Sequence, residues 1–235
     1  MQHADQKERK ICVSIAENDV QTAIGAARNV LKLADVIEIR LDSLQEPAVS
    51  PFTESISSPL LFTNRPVWEG GSYSGEEDDR IQLLLDAVEN KVSYIDIELE
   101  AAKKQQQKII DASRKTDTKV IVSWHNFQET PDYSQLGDIL NRQRESGAHI
   151  GKIVTMAHDY SDVLRVLHLQ ILAHNMNFPL IAFCMGKAGM ISRLATLELG
   201  GYMTYASPDL GEATAPGQIP VKNLLNALEQ LHHGD

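Results

Sequence analysis

KVIVSWHNFQETPDYSQLGDILNRQRESGAHIGKIVTM, residues 119–156, holds two apolar, β-branched runs separated by a longer segment with helical spacing. KVIVSW at 119–124 and HIGKIVTM at 149–156 have strand length, and the interval between them predicts a helix near 133–146. Strand, helix and strand in that order form a βα repeat and favour a parallel sheet. The same alternation continues outward in both directions. ICVSI (11–15), DVIEIR (35–40), LLFTN (60–64) and YIDIE (94–98) precede it, and PLIAFCM (179–185) and YMTYA (202–206) follow. Further helices are predicted near 18–33, 48–56, 76–90, 101–115, 159–175, 188–198 and 220–232, the second of them cramped by Pro47, Pro51 and Pro59. Eight βα units at about 29 residues each match the ~250 residues of an eightfold (β/α)8 TIM barrel. A doubly wound dinucleotide-binding sheet needs a glycine-rich first turn, and SIAENDV at 14–20 has no glycine. The expected architecture is therefore one (β/α)8 barrel domain over 1–235, with no linker dividing it.

The 235 residues carry a net charge of −10, a sign that repels nucleic acid and anionic lipid. Cys12 and Cys184 lie far apart in apolar stretches, which suggests buried thiols in a reducing compartment. MQHADQKERK offers no signal-peptide segment, and no apolar run approaches the ~20 residues of a membrane span. The expected protein is cytoplasmic, with no nucleic-acid or membrane partner. No zinc motif is present, so no metal is expected.

In a barrel, charged residues at the C-terminal ends of strands mark the face where chemistry occurs. Glu38 and Arg40 are two apart and share a strand face with Val36. They are either a substrate-binding pair or a structural ion pair. The third strand delivers Arg65, followed by Glu69 and the Gly70-Gly71 pair; the fifth delivers His125, either a hydrogen-bonded structural residue or a base. Lys152 interrupts an otherwise uncharged run. A lysine there snorkels outward, pairs with a carboxylate, or sits buried as a nucleophilic amine. Arg193 falls on the helix after strand seven. Arginines gathered around an amine and an imidazole, in an acidic protein, suggest a small anionic substrate and imine chemistry on a ketone.

EIRLD at 38–42, FTNRPVWEGG at 62–71, VIVSWHNFQETP at 120–131, GKIVTM at 151–156, MGKAGMISR at 185–193 and APGQI at 215–219 together resemble the type I 3-dehydroquinate dehydratases, over essentially the whole length. The resemblance implies a cofactor-free, metal-free barrel enzyme, usually a homodimer, that converts 3-dehydroquinate to 3-dehydroshikimate in the shikimate pathway. By the same resemblance, Lys152 forms the Schiff base, His125 removes the C2 proton and Glu69 positions that histidine. Glu38, Arg40 and Arg65 bind hydroxyls and shape the site, Arg193 holds the substrate carboxylate, and Thr214 and Gln218 bind substrate from a closing loop, Gln218 helping to hold the ring. Gly151 departs from the β-branched residue many relatives carry before the lysine, and Thr214 replaces a serine. The interval from Tyr205 to Gln218 is a couple of residues longer than in several relatives. The loop from Ser207 to Gln218 is expected to be mobile when empty and ordered over ligand. A class I aldolase on the same barrel, or a noncatalytic barrel binding an anionic sugar-like ligand, are the rival functions.

Overall fold

The computed structural model describes residues 9–209 and 214–232. Its strands are β1 (Lys10–Ile15), β2 (Val36–Arg40), β3 (Leu60–Thr63), β4 (Tyr94–Glu98), β5 (Lys119–Asn126), β6 (Ile150–Met156), β7 (Leu180–Met185), β8 (Met203–Ser207) and a two-residue β9 (Ile219–Pro220). All pair in parallel, in the order β7-β6-β5-β4-β3-β2-β1-β8-β9. The curled sheet comes round on itself where the Tyr202 N–H donates to the Leu180 carbonyl at 2.8 Å. This is a TIM-barrel-like (β/α)8 fold, as the alternation of runs predicts.

The helices are α1 (Val20–Val30), α2 (Ser50–Ser55), α3 (Glu77–Glu89), α4 (Lys103–Ser113), α5 (Tyr133–Glu145), α6 (Tyr160–Asn175), α7 (Gly186–Glu198) and α8 (Val221–His232). Local chemistry sets several starts. Asp19 caps α1 by accepting from Thr22 N–H, Asp159 caps α6, and Asp132 forms a capping box with Gln135 at α5. The prolines reduce the second helix to six residues, with Pro51 in its first turn, where a missing N–H costs nothing. The α3 helix opens on Glu77, Asp78 and Asp79, acids that its N-terminal dipole favours. β9 was not predicted, being too short to show a period.

Alternate strand residues face opposite sides of the sheet. One set packs outward against the helices in a large apolar cluster that includes Ile37, Ile39, Ile95, Ile97, Val122 and Ile153. The other set fills the barrel. Its floor is apolar, with Val36, Leu61, Tyr94, Ile121, Ile150, Ile181 and Met203 buried together beside Cys12. Two residues further along each strand the composition changes. Glu38, Thr63, Asp96, Ser123 and Lys152 follow on β2 to β6, whereas Phe183 and Tyr205 follow on β7 and β8. The barrel interior is thus charged on one side and aromatic on the other. Both cysteines are free and buried.

Candidate active site

Lys152 is 5% exposed, with its Nζ 3.0 Å from Oδ2 of Asp96 and 4.3 Å from the centre of the Tyr205 ring. The other Asp96 oxygen accepts from Ser123 at 2.6 Å and lies 2.8 Å from Nη2 of Arg65. Burial alone would push the Asp96 carboxyl up, but Arg65 and Lys152 overcome it and hold the group well below the ordinary aspartate range. Arg65 also reaches Glu98 at 2.5 Å and Ser123 at 2.7 Å through Nη1. The second Glu98 oxygen meets the fully buried Arg80 at 2.6 Å, and Arg80 is anchored in turn by Glu77 and the Asn64 carbonyl. A buried charge persists only when paired in this way. The strand lysine therefore ends inside the barrel, bonded and under the mouth.

Nδ1 of His125 lies 2.8 Å from Oε2 of Glu69. Glu69 reaches it from the turn after β3, whose path is fixed by backbone requirements. Gly70 takes φ +75°, and a Cβ on Gly71 would lie 2.0 Å from the Arg65 carbonyl oxygen. Asp42 ties this turn to β2, accepting from the Arg65 and Ser72 amides at 3.0 Å each while also pairing with Arg40 at 2.9 and 2.6 Å. Burial, reinforced by the Arg65 and Lys152 cations, pushes the His125 imidazole well below the ordinary histidine value. Burial also lifts the Glu69 carboxyl to about 8, against the pull of Arg65 and with the help of Glu98 and Asp96. The shift favours the neutral imidazole, and in the tautomer that donates Nδ1–H to Glu69 the Nε2 atom keeps a free lone pair.

Glu38 accepts from Ser14 and, at 2.8 Å, from Thr63, so its carboxylate is fixed within the barrel. Arg193 differs from the other arginines. It is 1% exposed, rests 4.5 Å above the Phe183 ring, and among the described residues reaches the carbonyls of Tyr205 and Pro216 at 3.4 and 3.3 Å. Among the described residues no carboxylate lies within ion-pair distance of it. Burial without such a partner lowers its pKa to about 10. A planar guanidinium in this setting is chemically suited to pairing with a carboxylate. Past the mouth, Oε1 of Gln218 accepts from the Thr214 amide at 2.7 Å and from its hydroxyl at 3.1 Å.

All nine residues singled out in the sequence, Glu38, Arg40, Arg65, Glu69, His125, Lys152, Arg193, Thr214 and Gln218, line one cavity at the C-terminal mouth. Lys187 lies elsewhere, in an apolar groove between α6, α7 and α8. The expected loop from Ser207 to Gln218 is described at both ends, and its residues 210–213 lie outside the described residues. No cluster of metal-ligating side chains occurs among the described residues. The family model for type I 3-dehydroquinase matches residues 11–235. A 3-dehydroquinate dehydratase of Desulfotalea psychrophila is 43% identical over 92% of this chain and 95% of its own. The solved 3-dehydroquinate dehydratase of Geobacillus kaustophilus superposes with a TM-score of 0.90 at 26% identity, covering 97% of this chain and 93% of that one. The type I enzyme of Clostridium difficile gives a TM-score of 0.88 at 30% identity, over 96% and 93%.

The chain belongs to the type I 3-dehydroquinase family.

Several residues that line or support the cavity were not among the sequence candidates. Asp96 and Glu98 carried a readable signal: YIDIE alternates two acids with two isoleucines, so both acids share the face of Tyr94. Tyr94 belongs to the apolar floor inside the barrel, so that face is the interior. Phe183 and Tyr205 are ordinary core residues by composition, and only the register of β7 and β8 brings them under the mouth of the dehydroquinase barrel.

Proposed function

We propose that this protein dehydrates 3-dehydroquinate to 3-dehydroshikimate through an imine on Lys152. The observation that carries the reading is that the buried Lys152 amine shares one cavity with a guanidinium, Arg193, that lacks a carboxylate partner among the described residues. A substrate with a ketone for the one and a carboxylate for the other completes both. The Lys152 ammonium first gives up one proton, and the amine lone pair then adds to the C3 carbonyl carbon; that proton and one of the two left on nitrogen depart with the carbonyl oxygen as water, leaving one N–H and the positive charge on C=N. That charge acidifies C2. Nε2 of His125 takes the C2 proton while Glu69 fixes the ring through Nδ1. The electron pair left on C2 forms the enamine, which expels the C1 hydroxyl; the imidazolium returns the proton to that oxygen, so water leaves. Addition of water to the conjugated imine then frees the enone and the amine.

The remaining side chains hold the ring. Arg193 pairs with the carboxylate, and Glu38, Arg40 and Arg65 present fixed charges to the hydroxyls. Gln218 has its oxygen committed to Thr214, which leaves its amide nitrogen to donate. The same reading makes the protein a cytoplasmic homodimer. That rests on the family resemblance and on exposed apolar side chains such as Leu164, Ile171 and Ile191 on the outer helices. Borohydride reduction with 3-dehydroquinate, followed by peptide mass mapping, tests the chemistry. An adduct on Lys152 is expected. An adduct on Lys187, turnover with no adduct, or cleavage into two carbonyl fragments as an aldolase would give, overturns it.

A further inference from the structure

Six of the interior strands, β1 to β6, place polar side chains in the layer above the barrel floor, and β7 and β8 place aromatic rings there. Phe183 and Tyr205 are neighbours, with ring centres 5.9 Å apart. Each ring carries one cation on its face. Lys152 Nζ stands 4.3 Å from the centre of Tyr205, and the Arg193 guanidinium stands 4.5 Å from the centre of Phe183. Ring faces attract cations through their quadrupole, most strongly away from water. Both rings are buried, Phe183 at 3% and Tyr205 at 5% exposure. The phenol oxygen of Tyr205 has no hydrogen-bond partner among the described residues, so its ring face is what engages the site.

From this arrangement we infer that Phe183 and Tyr205 act as a paired positioning platform. Tyr205 holds the imine-forming nitrogen, Phe183 holds the carboxylate-binding guanidinium, and the contact between the rings sets the spacing between the two. The inference rests on the proposed roles of Lys152 and Arg193. Lys152 also has Asp96, but that carboxylate constrains one direction only, and the ring supplies a second contact on the nitrogen. Charge balance suits a ring face. An ammonium and a ketone give a cationic imine and water: two of the three nitrogen protons leave with the oxygen, one stays, and the positive charge remains on the same atom. Directed hydrogen bonds must be given up as protons leave. The attraction to the ring does not depend on which proton remains. Among the described residues Arg193 has no carboxylate to orient it, so the Phe183 face and two long carbonyl contacts fix its plane.

The two halves of the platform should separate kinetically. Tyr205→Leu removes the ring beside the nitrogen and lowers kcat and the rate of borohydride-trapped adduct formation about tenfold, with KM changed much less. Tyr205→Phe, which keeps the ring and drops the hydroxyl, restores most of that loss. Phe183→Leu frees the guanidinium and raises KM for 3-dehydroquinate about tenfold, with the smaller effect on kcat. Thermal unfolding of each variant shows whether the fold survives; where a leucine variant does not fold, Tyr205→Met and Phe183→Met make the same comparison. Equal losses in Tyr205→Phe and Tyr205→Leu, or a Phe183 substitution that folds and leaves KM unchanged, overturn the platform. Wild-type enzyme that fails to trap substrate on Lys152 instead removes the reading on which it rests, so the two failures are distinguishable.

Discussion

The proposed role of His125 as a base requires its neutral form, and its surroundings favour that form. Burial disfavours the imidazolium, and the Arg65 and Lys152 cations disfavour it further. A proton acceptor in this condition stays available below the ordinary histidine value of 6.5. The acid limb of kcat/KM assigned to His125 should therefore lie below pH 6.5, and a limb at or above that value contradicts the assignment. His125→Ala should lower elimination by about 10²–10⁴-fold while the Lys152 adduct still forms. A rapid-quench comparison of adduct formation with product formation reads the two steps apart, and near-native turnover would remove the histidine from the chemistry.

At the scale of the element, β6 shows why a glycine stands immediately before the site lysine. A Cβ on Gly151 would lie 2.6 Å from Oε1 of Gln143 and 2.8 Å from the Phe178 ring. Gln143 is fully buried on α5, and its Nε2 donates to the Lys152 carbonyl at 2.7 Å. The glycine is the space that the glutamine occupies. Gly151→Val should cost about 1–3 kcal/mol by overpacking. Gln143→Ala in the same chain should return part of it, so a double-mutant cycle in urea should show coupling of about 1 kcal/mol. Strict additivity would mean the two do not share the space. Sequence alone shows Gly151 as a departure from its relatives and a weakness in the strand, because the side chain that fills the gap is 8 positions away on another element. The same limit explains Asp96: its alternation was visible, but which face of β4 is the inside depends on how the barrel closes. Lys152 was legible because a charge in an apolar run is informative without knowing its neighbours. Arg193 was legible only as a charge near a strand end, and its lack of a carboxylate partner belongs to the folded barrel.

The whole barrel closes around charges instead of a purely apolar core, which makes its stability depend on pH from two sides. Asp96 and Asp42 are held below the ordinary aspartate range: burial would raise both, but Arg65 and Lys152 prevail at the first and Arg40 at the second. Such groups stabilise the fold above the unfolded pKa of about 4, and that stability is lost as pH falls through the folded value. Glu69 has the opposite sign. Its carboxyl is raised to about 8 against an ordinary 4.5, so the folded state keeps a proton that the unfolded chain releases, and stability declines as pH rises between these values. Urea unfolding midpoints measured across pH should therefore climb on leaving acid and fall again toward pH 8. Asp96→Asn should flatten the acid side and cost about 3 kcal/mol near neutrality, since it leaves Lys152 and Arg65 short of a buried counter-charge. Glu69→Gln should flatten the decline toward pH 8 and leave the acid side standing. A variant whose profile keeps the wild-type shape on its own side would show that the substituted carboxyl is not the group that titrates there.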